Sequence, residues 1–500
     1  MKNNSFTEYF SKIINLINRV DSRIFIFVLL CLNLLSFHLY SNEEAYFPLA
    51  KQYIDPDWIP NSFTFSEWVG TRFLFQNIVG QALKYFSFET VAFWGRFLNF
   101  LAFSFPLALI FKKFKISNIG IFLLLQLFIL NTGMQAFFGQ EWIFRAFESK
   151  TIAYVFIFYS LYYLFSEKYI KVAVFAAIAT YFHILVGGWF FCFCGIYMLF
   201  SKLNFIQLLK SVVTYVIMVS PFILYLTSHI ESDGSLINGV NIDWVYVYFR
   251  NTHHTAPLMW KKFTSDVLPR ILASVGLFGL CVFYVRNFND GLIRKLNKAV
   301  VIILIMLFTA LIVNLLDKEG HILKFYLFRI ASIGTFCTYI LSFLVFRSIC
   351  KDWRYYYRVK QFVFIAICML FIIRVGRTVN HFMKPAVNSE LVELTSYVKH
   401  NTDLTDVVLW LDKDEQSFSR RARRESWVVR KFDPGGGKKI YEWYIRVHKR
   451  DEVIKDFSKL PKLLSDYKID YVVTKKRVRS DVLIEKYHND LYYLYMISNK

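Results

Sequence analysis

Apolar residues in this chain come in long unbroken runs, without the alternating or helical-face spacing of a soluble fold. Ten such runs lie near 23–41, 89–111, 117–132, 151–165, 172–199, 207–227, 266–285, 298–316, 325–346 and 360–376. A helix needs about 20 apolar residues to cross a bilayer core, so nine of the runs each predict one crossing. The fifth, KVAVFAAIATYFHILVGGWFFCFCGIYMLF, is about 30 residues long, too long for a single crossing. His183 and the pair Gly187-Gly188 sit in its middle, which predicts two short helices turning between His183 and Gly188.

Charge bias supports that division. With the N-terminus (Lys2, Lys12, Arg19, Arg23) in the cytoplasm, a paired fifth run puts the basic loops 112–115, 166–171, 201–204, 286–298 and 347–360 on the cytoplasmic side. The loops at 42–88, 133–150, 183–188, 228–265 and 317–321 are longer or less basic and fall outside. A single crossing would move the later basic loops outward and break the positive-inside rule. The expectation is a polytopic α-helical membrane protein with about eleven transmembrane helices, N-terminus in and C-terminus out. No small-x-small cleavage pattern follows the first run, so no removable leader is expected.

From about Arg377 the pattern becomes soluble. SELVELTSYVKHN has helical spacing, whereas VVLWL, SWVVRKF, IDYVVT and LYYLYMI are short β-branched or aromatic runs, predicting a small α/β domain. The expected organisation is a membrane domain at 1–376 with a large first external loop at 42–88, followed by an extracytoplasmic α/β domain at 377–500.

Composition sharpens this picture. The hydrophobic share is 56%, with 54 phenylalanines, against about 45–50% for soluble chains. The formal charge of +22 is explained by the basic loops, and nucleic acid is not expected as a partner. Six of the seven cysteines lie in apolar runs and Cys350 in a basic loop, a pattern of packing residues with no disulfide framework or zinc site. No metal and no cofactor are expected.

Several polar stretches stand out. N42-E-E-A-Y-F-P48 opens the first loop, where Asn42 would cap a helix whose first turn holds Glu43 and Glu44. Pro48 predicts a start near Phe47 or a kink. Either glutamate, or Asp55, is also a candidate proton acceptor. In F137-F-G-Q-E-W-I-F-R-A-F-E-S-K150, Glu141 and Arg145 have the i,i+4 spacing of a helical ion pair, or Arg145 is a cation for an anionic head group. Arg329, just inside the outer surface with Lys324 before it, is a functional candidate because an intramembrane arginine is costly. Arg96 is expected to snorkel, and His183 marks the turn of the helix pair. His253-His254 lacks metal-ligand spacing, and R420-R-A-R-R424 reads as a solvated run.

A first span, acids opening a large external loop, many spans and a terminal α/β domain together resemble the GT-C class of membrane glycosyltransferases. I54-D-P-D-W-I59, F138-G-Q-E-W142 and E442-W-Y-I-R446 are similar to stretches of bacterial GT-C-like proteins. The resemblance implies transfer of a sugar from a polyprenyl-phosphate donor to a glycan, lipid or protein acceptor at the outer face of the bacterial inner membrane. The family's first-loop acid falls on Glu43 or Glu44, where Glu-Glu replaces the usual aspartate. An acceptor hydroxyl needs a carboxylate base, for which Glu44 is first choice with Glu43 and Asp55 as alternates. The departing phosphate needs cations, for which Arg329 and Arg145 are chosen; Glu141, His183 and Lys324 complete the substrate-binding set. A one-step displacement would invert the anomeric centre. A cell-envelope polysaccharide polymerase or ligase is the alternative, ahead of a transporter or a non-catalytic protein. Visible repeats around a midplane site would favour transport, and none is apparent.

Overall fold

The computed structural model describes residues 4–65, 70–130, 135–201, 205–229, 234–285, 290–349, 356–412 and 415–498, with the backbone alone at 4–11 and 356–360. Most of the 201–204 loop, the RNFN stretch at 286–289 and Cys350 within 350–355 lie outside the described residues. The chain divides into two compact units: 1–36 with 93–225 and 247–383, and 37–92 with 226–246 and 384–500. The break at 383/384 lies close to the expected 376/377, while the first loop groups with the C-terminal residues.

The first unit is helical, and each apolar run contains a helix, though not always over its full expected length. Among the described residues six helices are long and apolar enough to cross a membrane: Phe88–Lys113, Phe205–Thr227, Phe263–Val285, Gly291–Leu316, Leu323–Ile349 and Gln361–Met383. The eleven expected crossings therefore reduce to six by length. The other four runs form five shorter helices, Ser22–Leu34, Asn118–Ile129, Ser149–Phe165 and, from the divided fifth run, Tyr169–Phe182 and Ile184–Leu199. The first of these ends early because its chain turns extended at Leu35. There the Arg96 guanidinium donates to the Ser36 carbonyl. Arg96 is fully buried, so the expected snorkelling is replaced by a hydrogen bond to a buried backbone carbonyl.

The fifth run breaks at His183 alone. That residue ends one helix and caps the next, its Nδ1 accepting from Val186 N at 3.4 Å. Gly187 and Gly188 lie inside the second helix.

Burial separates the helices by role. In the most apolar stretch of Leu323–Ile349 89% of the residues are buried, against 6% in that of Gln361–Met383, so the first is packed within the unit and the second turns Phe362, Met369 and Ile372 outward. Large apolar side chains displayed this way need an apolar surrounding. Phenylalanines fill the interior: Phe103 meets Phe144 and Phe158 meets Phe336, each pair with ring centroids 4.8 Å apart.

The basic loops gather at one end of this unit. Lys295 Nζ lies 2.7 Å from Glu167 Oε1, Lys298 Nζ donates to Ser201 Oγ at 2.7 Å, and Arg347 Nη1 donates to the Lys115 carbonyl at 2.9 Å.

In the second unit the helix Glu43–Ile54 packs on Phe73–Ala82 at Gly80, where a Cβ would come 2.5 Å from the Ala50 carbonyl oxygen. This helix starts at Glu43 and carries Pro48 inside it, earlier than the proline suggested. A small hairpin of β1 (Leu236–Ile237) and β2 (Val240–Asn241) precedes a five-stranded sheet. Its strands are β3 (Val407–Trp410), β4 (Glu425–Ser426), β5 (Tyr471–Thr474), β6 (Leu483–His488) and β7 (Tyr493–Ile497). They run in the order β4-β3-β5-β7-β6, with β3 parallel to both β4 and β5, and β7 antiparallel to both β5 and β6. SELVELTSYVKHN forms the helix Ser389–Asn401, capped by Asn388. SWVVRKF contributes only its first residue to a strand, β4.

Two of the three motif stretches meet in this unit. Trp58 and Ile59 of the DPDWI segment share a core with Phe65, Val429 and Phe432. From EWYIR, Trp443 Nε1 donates to the Val429 carbonyl at 3.1 Å, and the Arg446 guanidinium lies 4.0 Å from the Phe63 ring centroid.

Candidate functional site

The polar groups of the helical unit converge where the 137–150 stretch meets the start of the Leu323–Ile349 segment. Gln135 shapes that stretch: its Oε1 accepts from Ile143 N and Phe144 N at 2.7 and 2.9 Å. Residues 141–147 are not helical and the helix begins at Ser149, so the i,i+4 arrangement expected for Glu141 and Arg145 is absent. Gly139 has φ +68° and Gln140 φ +51°, a consecutive left-handed pair that suits glycine. A Cβ at Gly139 would come 3.0 Å from Phe328 Cβ and 3.3 Å from the His254 carbonyl oxygen.

This turn delivers Glu141, 1% exposed, to Arg329, 8% exposed. Arg329 Nη1 donates to Glu141 Oε1 at 2.6 Å. Lys150 Nζ lies 3.5 Å from Glu141 Oε2 and 3.2 Å from Glu148 Oε1, and 3.8 Å from the centroid of the Trp142 ring. Tyr326, left-handed at φ +53°, separates two short 3-10 turns, and its ring centroid is 4.4 Å from the Arg329 guanidinium. Arg329 Nε is buried with no hydrogen-bond partner among the described residues. Burial pushes the Glu141 carboxyl up, but the charges of Arg329, Lys150 and His254 and the Arg329 hydrogen bond outweigh it and hold the group below the usual carboxylate range.

His254 completes the cluster from the short helix Thr252–Thr255. Its Nδ1 is 2.6 Å from the Gly139 carbonyl oxygen and 3.3 Å from Glu141 Oε1. A carbonyl only accepts, so Nδ1 carries the proton and, in the neutral ring, Nε2 keeps the lone pair. Burial holds this ring well below the ordinary imidazole range, and His253, Arg329 and Lys150 add to that against the pull of Glu141.

The remaining candidates fall elsewhere. Lys324 is on the 3-10 turn Leu323–Phe325, with Nζ 5.7 Å from the Phe325 ring centroid. Arg145 is half-buried in the 141–147 stretch, and His183 caps a helix. Glu43, Glu44 and Asp55 belong to the other unit. Glu43 Oε2 accepts from Tyr40 N at 2.7 Å, and Asp55 lies 3.1 Å from Lys51 Nζ. Glu44 receives Arg420 on both oxygens, Nε to Oε2 at 2.8 Å and Nη2 to Oε1 at 2.9 Å, and Arg420 Nη1 also reaches Glu89 at 2.7 Å. The RRARR run is thus partly buried. Arg420 is 8% exposed and Arg424 5%, the latter donating to Lys399 O and Thr402 Oγ1 at the end of the Ser389–Asn401 helix.

Sequence reasoning identified Glu141 and Arg329 separately but missed their pairing and the inclusion of Lys150, Glu148 and His254. The available signal was the density of charge in 141–150 beside an apolar span. Among the described residues no three His, Cys, Asp or Glu side chains are grouped to hold a metal. No protein-family model and no curated protein matches the chain.

Proposed function

We propose that the protein is a GT-C-type glycosyltransferase of the bacterial inner membrane, moving a sugar from a polyprenyl-phosphate donor to a glycan, lipid or protein acceptor. The observation that carries this reading is the buried cluster of Arg329, Glu141, Lys150, Glu148 and His254 in a body of apolar helices. Ionisable groups in such surroundings are expensive, and function is the default reason for keeping them. The Ala331–Ile349 helix puts Arg347, which touches the basic loops, about 27 Å along its axis from Arg329. With eleven crossings and the basic end in the cytoplasm, the cluster lies at the external face, where lipid-linked sugars are used.

In this reaction the acceptor oxygen attacks the anomeric carbon, and the bond to the phosphate oxygen breaks with its electron pair leaving on phosphate. Arg329 and Lys150 are proposed to hold the charge that develops there. The proton of the acceptor hydroxyl goes to a first-loop carboxylate, Glu44 first, with Glu43 and Asp55 as alternates. Arg420 occupies one lone pair on each Glu44 oxygen and fixes its direction, leaving a second lone pair on each. A single displacement inverts the anomeric centre.

The test is transfer from a polyprenyl-phosphate sugar by the full chain in lipid nanodiscs. Arg329→Gln is expected to lower the rate by roughly 10²–10³-fold, in the range for removing a donor to developing charge. Wild-type rates in Arg329→Gln and Lys150→Gln would remove the cluster from the reaction. Wild-type rates in the Gln or Asn variants of all three first-loop acids would remove those acids.

A further inference from the structure

Transfer from a lipid phosphodiester leaves a phosphomonoester, so one negative charge is added at the phosphate as the sugar departs. The cluster described above is already balanced, with Arg329 and Lys150 paired to Glu141 and Glu148. Something must answer the extra charge. His254 has the right form: Nδ1 is committed to the Gly139 carbonyl, the Glu141 carboxylate is 3.3 Å from the same nitrogen, and Nε2 has no hydrogen-bond partner among the described residues.

We propose that His254 is the charge-compensating contact of the lipid phosphate, neutral beside the phosphodiester donor and protonated once the monoester has formed. The inference rests on the glycosyl-transfer reading and adds the group that makes the product phosphate tolerable. The protonated ring donates from Nε2 to a phosphate oxygen, while Glu141 stabilises the imidazolium from the Nδ1 side. This is the logic of a base held by an orienting carboxylate. The balance closes with the hydroxyl proton passing to the first-loop carboxylate and from it to solvent, and one proton taken up from solvent by His254.

The groups around the ring set the direction of the effect. His253 lies 4.0 Å away centroid to centroid, Tyr326 lies 6.2 Å away, Glu141 lies 3.3 Å from Nδ1, and the charges of Arg329 and Lys150 oppose protonation of the ring. Lys324 stands on the Leu323–Phe325 turn packed against the same short helix. Burial and these cations keep the ring neutral until a dianion arrives, and only then does protonation become favourable.

The experiment is calorimetric binding to the full chain in detergent, using farnesyl phosphate and its methyl phosphodiester at about pH 8 in buffers of different ionisation enthalpy. Free monoester is then a dianion, because its second pKa is about 6. The expected result is uptake of about one proton with the monoester and none with the diester, and monoester affinity falling about tenfold per pH unit above pH 8. His254→Gln should take up no proton with the monoester. Monoester binding that is weakened by Arg329→Gln but brings no proton uptake would overturn the role of His254 and leave the transferase reading standing. Uptake that persists in His254→Gln would do the same. Failure of the wild type to bind either ligand, or binding indifferent to Arg329→Gln, would overturn the phosphate site itself. Should His254→Gln not fold, the contrast between monoester and diester in the wild-type chain still decides.

Discussion

Glu425 and Glu44 are both buried carboxylates of the second unit, and they are stabilised differently. Glu44 has a guanidinium on both oxygens, whereas Glu425 is bonded by neutral donors, the Ser62 hydroxyl and the Thr64 amide and hydroxyl. Burial dominates at Glu425 and raises its proton affinity above that of an ordinary carboxylate, against those hydrogen bonds and the Arg446 charge. The folded chain therefore binds the proton more tightly than the unfolded chain. The stability this contributes is fully present below the unfolded pKa and is lost as pH rises through the folded one. Glu425→Gln, which removes the charge but keeps an acceptor, should gain on wild type as pH rises from the acid side to neutral. Thermal unfolding of the two chains across pH checks this, and a constant difference would sink it. Glu425→Ala should cost roughly 1–3 kcal/mol on the acid side by stranding the Ser62 and Thr64 donors, and less as pH rises. None of this was legible in the sequence, because Glu425 and Thr64 are 361 positions apart. The same distance problem hid the role of Arg420, whose partner Glu44 is 376 residues away; a charge run shows its sign but not its burial.

At the level of elements, the adjacent glycines of the fifth apolar run make opposite predictions. A Cβ at Gly187 would lie 2.2 Å from Thr180 Oγ1 and 2.5 Å from Thr180 N, on the neighbouring helix, while at Gly188 nothing is within 4 Å. Gly187 lets the Tyr169–Phe182 and Ile184–Leu199 helices approach closely. Gly188 only costs helix propensity. Gly187→Val should destabilise by about 1–3 kcal/mol through overpacking, and Gly188→Ala should stabilise by up to about 1 kcal/mol. Heat-induced loss of monodispersity in detergent would rank the three chains, and equal behaviour of the two variants would refute the packing account. The break in this run was legible because about 30 apolar residues exceed one crossing. Its position was legible only to within a few residues, since capping by His183 depends on local backbone geometry. Helix existence followed from apolar length throughout, whereas helix ends did not. Leu35 leaves the helix where Arg96 meets the Ser36 carbonyl, a contact between residues 60 apart. Among the strands, β6 was missed because its exposure alternates and its sequence, LIEKYH, carries charge at the outward positions. SWVVRKF reads as a strand because it is a short β-branched and aromatic run, yet its Val429 and Phe432 serve the core around Trp58.

For the whole molecule, the expected orientation rests on where the cations collect. Runs 112–115, 166–171 and 291–298 are far apart in sequence, yet the contacts of Lys115, Glu167, Lys295, Ser201 and Arg347 bring their ends together at one pole of the helical unit. Positive-inside orientation applies to short basic loops near the ends of spans, so a cytoplasmic position is the expectation for this pole. Crossing number is a separate matter, because five of the helices in the apolar runs are shorter than the usual span and only six reach it by themselves. If the short helices cross in pairs or in concert with their neighbours, the chain crosses an odd eleven times and its soluble end is external. Crossing by the six long helices alone would return that end to the cytoplasm, on the side of the N-terminus. Paired reporters distinguish the two: a fusion in the 166–171 loop should report a cytoplasmic position and one after residue 498 an external one. A cytoplasmic signal from both would reject the eleven-crossing arrangement and, with it, the external placement of the C-terminal sheet. The position of Arg329 would be judged separately by labelling a cysteine placed at Lys318, beyond the far end of the Gly291–Leu316 helix from Lys295. That site should react with a membrane-impermeant reagent added from outside, because the cationic pole and Lys318 cap opposite ends of one 26-residue helix.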